Sequence, residues 1–223
     1  MKIAAIIQAR MGSSRLPGKV MMKLDEYPTL YHVVNQLRVS KFLDEIIIAT
    51  STEKQDDLIF EYAKKNHLLV FRGDEKDCLD RYYQCAKKFN VDIIVRIPAD
   101  KPLIDPNLVD DLLEKFLKTK YDYASNWLTK NVPSGTEVEA VTFNALSKSW
   151  KEAISQNNRQ HVTQYIYENP NKFSILNLKY NDMPINLKYS LDTPEDLIFI
   201  KQVFDEIKKR PIFTDDIKKK FSN

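Results

Sequence analysis

The chain is expected to fold as an α/β protein, a mostly parallel central sheet with helices on both faces. Three observations predict this. Apolar runs of strand length recur at residues 3–7, 45–51, 68–71 and 92–97. Stretches of helical periodicity follow each of them, and strands alternating with helices call for parallel pairing. The residues richest in chemistry come just after the runs, where ligands gather in such sheets: Arg10 to Lys19, Thr50 and Ser51, Arg72 and Gly73, and Asp100.

Residues 3–7 contain no charge and read as a buried parallel strand. The loop leaving its carboxyl end, Gln8 to Lys19, holds two of the four glycines, Gly12 and Gly18, with Arg10, Arg15, Lys19, Ser13 and Ser14. Glycine lets backbone N–H groups approach a ligand closely, and arginine and lysine supply charge for phosphate oxygens. The loop lacks the glycine spacing and the hydroxyl residue of a Walker A motif, and it does not match the Gly-x-Gly-x-x-Gly dinucleotide fingerprint. It reads as a phosphate cradle of another type.

The remaining elements follow in order. Residues 29–39 are periodic for a helix, with Pro28 at its first turn. Residues 45–51 form a strand, and Thr52-Glu53-Lys54-Gln55 has capping-box spacing for a helix to about Asn66. A strand at 68–71 ends in Arg72-Gly73. Asp77 caps a helix through Phe89, and 92–97 is the fourth strand. Asp105-Pro106 opens a helix to about Lys118. Beyond it, strands are expected at 121–126, 138–143, 173–178 and 187–191. Helices are expected from Asn144 to about Ala153, over 158–168, from the Thr193-Pro194-Glu195-Asp196 capping box, and from Thr214.

Length and composition bound the function. The 223 residues suit one domain, with a nucleotide-binding half at 1–120 and an acceptor-side half at 121–223. A net charge of +3 is too small for a dedicated nucleic-acid binder, and no apolar run reaches membrane length. Two cysteines, Cys78 and Cys85, match no metal motif and point to a reducing, cytoplasmic compartment. The amino terminus is too short in apolar residues for a signal-peptide core.

Two carboxylates stand out. Asp100 ends the fourth strand, and Asp192 ends the expected strand at 187–191. Each alone reads as a cap or turn carboxylate. Together they offer the hard oxygen ligands that Mg²⁺ takes beside nucleotide phosphates. Glu137 and Glu139 share one face of a strand start, and Arg159 and His161 open the helix at 158–168. From the residues alone, that group reads as a solvated strand edge and an exposed helix end.

The loop from Ile6 to Lys19 resembles the opening signature of the cytidylyltransferases of the spore-coat polysaccharide biosynthesis type, relatives of CMP-KDO synthetase and acylneuraminate cytidylyltransferase. The resemblance continues in order through Arg72-Gly73 and Asp77 to Tyr83, Pro102 to Pro106 with Val109-Asp110, Val138-Glu139, Arg159 to Thr163, and Leu191 to Leu197. It implies a Rossmann-like nucleotidyltransferase fold and transfer of CMP from CTP to a small acceptor with release of pyrophosphate. The acceptor it implies is an acidic sugar, or a phosphorylated or phosphonate metabolite, feeding a surface polysaccharide. By the same resemblance Arg10, Arg15 and Lys19 bind the triphosphate. The loop backbone at Ala9, Met11, Gly12 and Ser13, with Thr50, Ser51 and Arg72, contacts base and ribose. Asp100 and Asp192 match the Mg²⁺ carboxylates, and Glu137, Glu139, Arg159, His161 and Lys188 face the acceptor. A homodimer is a further expectation.

Departures from the family pattern concentrate on the acceptor side. Ala99 and Lys101 flank Asp100 where relatives commonly read Gly and Cys. Glu137 stands where Asp is frequent, and Lys188 replaces an arginine. The rival readings are a nucleotidyltransferase for sugar 1-phosphates using another nucleotide, a nucleotide-sugar glycosyltransferase, and a catalytically silent nucleotide sensor.

Overall fold

The computed structural model describes residues 1–221. In chain order the strands are β1 (Ile3–Gln8), β2 (Lys23–Leu24), β3 (Tyr27–Pro28), β4 (Glu45–Ser51), β5 (Leu69–Gly73), β6 (Ile93–Pro98), β7 (Tyr123–Ser125), β8 (Glu139–Thr142) and β9 (Ile175–Asn177). The α-helices are α1 (Thr29–Leu37), α2 (Asp57–Lys65), α3 (Cys78–Phe89), α4 (Pro106–Leu117), α5 (Phe143–Glu152), α6 (Gln156–Gln160), α7 (Gln164–Glu168), α8 (Pro194–Glu206) and α9 (Thr214–Phe221). None of these helices is long and apolar enough to cross a membrane.

Seven strands form one sheet in the order β5-β4-β1-β6-β8-β7-β9. The first four run parallel, with Ile6 opposite Ile47 on one side and Arg96 on the other. β8 is antiparallel to both β6 and β7, and β9 is parallel to β7, so the sheet is mixed but mostly parallel. β1 lies inside the sheet between β4 and β6, and its apolar residues are buried. Its side chains alternate across the sheet, as strand geometry requires. Ala5 and Ile7 pack with Val33, Leu37, Leu112 and Phe116 of α1 and α4 on one face. Ala4 and Ile6 pack with Tyr82 and Leu146 of α3 and α5 on the other. A third cluster joins α8 to Leu16, Leu103 and Leu191.

Helix starts at Asp77, Asp105 and Thr193 follow the sequence reading. Asp77 accepts from the Asp80 N–H, Asp105 from the Asn107 N–H, and Thr193 with Asp196 closes a capping box.

Four local expectations are corrected. No capping box forms at Thr52. A 3₁₀ turn (Lys54–Asp56) precedes α2, because the Asp56 carboxylate turns inward to the Ser51 hydroxyl and the Met11 N–H. The helix expected to be capped by Asn144 starts two residues earlier and is capped by Thr142. The single helix expected over 158–168 is two short helices, α6 and α7, separated at Val162, whose φ of 55° breaks the helical path. Residues 187–191 belong to no strand: the segment bends at Leu187 and Ser190, and only Lys188 bridges to Ser134. The two-stranded β2–β3 hairpin was not expected; it follows the 3₁₀ turn (Lys19–Met21) that ends the phosphate-type loop.

Candidate active site

The loop after β1 is anchored at both ends. Ala9 donates its N–H to the Ala49 carbonyl at 3.1 Å, and the Gln8 carbonyl accepts from the Ala99 N–H at 3.0 Å, so the loop leaves the sheet between β4 and β6. Midway, Met11 donates its N–H to Asp56 at 2.7 Å, and the Gly18 N–H returns to the Met11 carbonyl at 3.0 Å. Gly18 holds φ at 70°, a backbone region costly for other residues. The turn drops Lys19 into the protein, where it is 9% exposed, while Arg10 and Arg15 stay in solvent.

Lys19 is the organising side chain. Its Nζ donates to an Asp100 carboxylate oxygen and, at 2.8 Å, to Oδ1 of Asp192. Arg15 reaches the same Asp192 oxygen at 3.1 Å. Lys188 lies 3.2 Å from the other oxygen of Asp192 and 2.6 Å from Asp196, whose carboxylate also accepts from the Asp192 N–H. Burial works to raise the Asp192 carboxyl, but the ammonium groups of Lys19 and Lys188 outweigh it and hold the group down at about 2. The result is a pair of carboxylates gathered by one buried lysine. Two hard oxygen donors side by side, at the foot of a basic loop, fit Mg²⁺, which takes one or two carboxylates and completes its shell with water and phosphate. Asp100 and Asp192 are the residues that could hold it.

Three adjoining cavities meet around these groups. The first, about 350 Å³, lies under the loop and is walled by Arg10, Gly12, Ser13, Arg15, Lys19, Asp100 and Asp192. The second, about 160 Å³, lies between the loop and α3, against Gln8, Ala9, Arg10, Cys78 and Arg81. The third, about 310 Å³, opens on the β8 side and is lined by Arg96, Asp100, Lys101, Glu137, Glu139 and Asp192, with Trp127 and Tyr167. His161 borders all three. The left-handed turn at Val162 explains this, since it ends α6, leaves His161 exposed and buries Thr163 beneath it.

The third cavity is floored by a buried ionic network. Glu139 pairs with Arg96 and accepts from the Tyr123 hydroxyl at 2.6 Å and the Thr163 hydroxyl at 2.5 Å. Burial favours the neutral acid, but the Arg96 guanidinium and the two hydroxyls keep Glu139 below its ordinary range. Glu137 pairs with Lys101 at 2.9 Å and accepts from the Gly135 N–H at 2.7 Å. Here too burial is overcome, by Lys101, and the carboxyl is lowered.

The structure thus brings Arg10, Arg15, Lys19, Asp100, Asp192, Glu137, Glu139 and His161 to one region, with the loop residues Ala9, Gly12 and Ser13 on cavity walls. Met11 packs toward the core and joins through its backbone.

Five other candidates line none of the three cavities. Thr50 is buried in β4, and the Ser51 hydroxyl is spent on Asp56. Arg72 donates to the Ser51 and Glu53 carbonyls and pairs with Asp57 at 2.7 Å, tying β5 to the end of β4. Arg159 donates from Nε to Asp77 at 2.8 Å and from Nη1 to the Trp150 carbonyl at 2.7 Å, fastening α6 to the start of α3. Lys188 holds Asp192 and Asp196. Ser51, Arg72, Arg159 and Lys188 brace the site through these protein partners, while the buried Thr50 hydroxyl has no hydrogen-bond partner among the described residues.

Sequence reasoning missed Gln8, Arg81, Arg96 and Asp56 as parts of the site. Arg96 had a signal: a lone charge inside the otherwise apolar strand Ile93-Ile94-Val95-Arg96-Ile97. A buried arginine requires a partner, and Glu139 faces it across the β6–β8 pair.

A family model described as cytidylyltransferase matches residues 4–219 of this chain. An uncharacterized protein of Methanocaldococcus jannaschii is 41% identical over 230 aligned positions, covering 95% of this chain and 92% of that protein. The spore coat polysaccharide biosynthesis protein SpsF of Bacillus subtilis is 34% identical over 216 positions, covering 94% and 89%. Among solved structures, a cytidylyltransferase from Leptospira borgpetersenii superposes with a TM-score of 0.94 at 32% identity, covering all of this chain and 96% of that one.

Proposed function

Because the chain belongs to the cytidylyltransferase family, and so is a CTP-dependent nucleotidyltransferase, we propose that it transfers CMP from CTP to a small acceptor, with Mg²⁺ and release of pyrophosphate, in the making of a surface polysaccharide. The observation that carries this reading is the joining of Asp100 and Asp192 by Lys19 at the foot of the loop cavity. The likeness to SpsF supports the pathway.

In this reading the loop cavity takes the triphosphate. Arg10 has no ion-pair partner among the described residues, and its charge is available to phosphate oxygens; Arg15 stands beside it at the cavity wall. The backbone turn of Gly12 and Ser13 fits the phosphates closely. The cavity at Gln8, Cys78 and Arg81 is placed for the base, one step deeper along α3. The third cavity takes the acceptor, whose oxygen attacks the α-phosphorus in line while the bond to the β-phosphate oxygen breaks and pyrophosphate leaves. Lys19 holds both carboxylates in place for this, and the protein's work is positioning and charge screening, not covalent catalysis. When bound at Asp100 and Asp192, Mg²⁺ supplies charge neutralisation at the phosphate oxygens.

The test is pyrophosphate release measured with CTP, UTP, GTP and dTTP separately, over a panel of acidic sugars, sugar phosphates and other small phosphorylated compounds. Turnover with CTP alone is expected. Turnover with another nucleotide and none with CTP overturns the reading, as does sugar transfer without pyrophosphate.

A further inference from the structure

Resting on the reading that the loop cavity takes the triphosphate, we infer that Asp56 is a positioning residue for nucleotidyl transfer. It fixes the backbone at Met11, and through Met11 the shape of the phosphate loop and the entry of Lys19, before CTP arrives. Asp56 stands at the N-cap position of α2, where an aspartate ordinarily accepts from the first helical N–H groups. Its side chain makes no such bond. Oδ1 instead accepts from the Met11 N–H at 2.7 Å, 45 residues away in the chain, and Oδ2 accepts from the Ser51 hydroxyl. The residue is fully buried and has no ion-pair partner among the described residues. Burying a carboxyl group without a cation is costly, so its place here calls for a use other than starting a helix.

That use is visible at Met11. Its carbonyl accepts from the Ser13 N–H at 2.9 Å and from the Gly18 N–H at 3.0 Å. The Gly18 bond closes the loop just before the 3₁₀ turn that carries Lys19 inward to Asp100 and Asp192. Met11 thus ties the two ends of the loop together, and Asp56 ties Met11 to the protein. Between those ends Gly12, Ser14 and Arg15 wall the loop cavity, and their N–H groups donate to no group among the described residues. Backbone donors hold an anion well only when their directions are fixed beforehand.

Asp56 is itself held firmly. Its N–H donates to the Glu53 carbonyl at 2.9 Å, and the Ser51 hydroxyl oxygen accepts from the Glu53 N–H at 3.1 Å. Arg72 closes the same turn from β5, donating to the Ser51 carbonyl at 2.8 Å and the Glu53 carbonyl at 3.0 Å. The carboxyl group is therefore presented to Met11 from a braced block. Asp56 lines none of the three cavities, so it acts on the substrate only through Met11.

The experiment measures binding of CMP, CDP and CTP by calorimetry to the wild-type chain, Asp56→Ala and Asp56→Asn, each checked for folding by circular dichroism. A wild-type chain that binds no CTP, or binds CMP as tightly as CTP, defeats the reading of the loop cavity and the inference with it. Every later outcome bears on Asp56 alone. Asp56→Ala is expected to weaken CTP by about ten-fold or more and CMP by less than about two-fold, with CDP between, because a misplaced loop costs the phosphates it would hold. Asp56→Asn keeps an oxygen for the Met11 N–H and offers an amide N–H to the Ser51 hydroxyl. It is expected to bring CTP affinity back to within about three-fold of wild type. In the nucleotide-free protein the Met11 amide is expected to exchange with solvent at least about ten-fold faster in Asp56→Ala than in Asp56→Asn. Should Asp56→Ala not fold, Ser51→Ala, which frees the other carboxyl oxygen, is read in its place, with the same ordering of the nucleotides and a loss of roughly three-fold for CTP. Equal losses for CMP and CTP, unchanged CTP affinity, no recovery in Asp56→Asn, or a Met11 amide indifferent to the substitutions overturns the inference.

Discussion

Leu191 donates its backbone N–H to the Asp100 carbonyl at 2.8 Å. That bond brings Asp192 beside Asp100 without a sheet strand to carry it. The segment is held on its other side by Tyr189, whose N–H meets the Ser134 carbonyl at 2.6 Å. The pairing of the two carboxylates therefore depends on how closely the 133–136 turn packs against 189–192.

Gly135 sets that closeness. It holds φ at 104°, and a Cβ added there would lie 2.4 Å from both Ser190 N and Tyr189 C. Gly135→Ala is expected to push the segment away, lowering stability by roughly 1–3 kcal/mol. Turnover is expected to fall more than CTP affinity, because Asp192 moves while the loop cavity keeps Arg10. Urea melts and steady-state kinetics on the same preparation check this. An unchanged melt with an unchanged rate would show that the segment has room.

Asp192 gives a signed pH prediction. Its folded-state carboxyl, with burial raising it and Lys19 and Lys188 lowering it further, sits at about 2 against an ordinary 3.8. A depressed carboxyl stabilises the fold fully above its ordinary value, and the contribution is lost as pH falls from there through about 2. Lys188→Met is expected to move the midpoint upward and to shrink this acid-limb contribution. Carboxyl carbon NMR of Asp192 gives the midpoint directly. A midpoint insensitive to Lys188 would remove that lysine from the set holding the carboxylate.

The Arg96–Glu139 pair is expected to behave as a buried pair whose halves cannot be separated cheaply. Arg96→Met leaves the Glu139 charge buried, at a cost of roughly 3–5 kcal/mol. Adding Glu139→Gln to it removes that charge and is expected to recover a large share. A double-mutant cycle in urea reads the coupling. Additive losses in the cycle would show that Tyr123 and Thr163 suffice to hold Glu139.

Much of this site was legible in the sequence, and the reasons for the remainder are physical. The parallel half was readable because β1, β4 and β6 are near-continuous apolar runs, and Asp77, Asp105 and Thr193 sit where helix caps must. The loop announced itself by glycine and charge density. Asp192 was found, but by way of a strand that does not form: residues 187–191 alternate well enough, yet in the sheet β8 and not that segment lies next to β6. The break at Val162 could not be read, since a β-branched residue at positive φ runs against local preference and is imposed by packing. The bracing roles of Ser51, Arg72, Arg159 and Lys188 depend on partners far apart in the chain. Residue type told that they are polar; only the fold told where that polarity is spent.

The loop arginines give the last prediction, and it separates two residues the sequence treats alike. Arg10 has no ion-pair partner among the described residues and borders both the loop cavity and the cavity beside α3. Arg15 is paired with Asp192 and is 65% exposed, so much of its charge is already screened by water. Charge-assisted phosphate contacts are worth about 1.5–3 kcal/mol when water is excluded, and much less in solvent. Arg10→Ala is therefore expected to weaken CTP binding by roughly ten-fold or more, and Arg15→Ala by less, with the Arg15 effect fading as salt is raised. Calorimetry with CTP at two ionic strengths measures both. A larger, salt-insensitive loss at Arg15 would mean that CTP draws Arg15 off Asp192 and into the phosphate site, making the Asp192 pairing a feature of the empty loop.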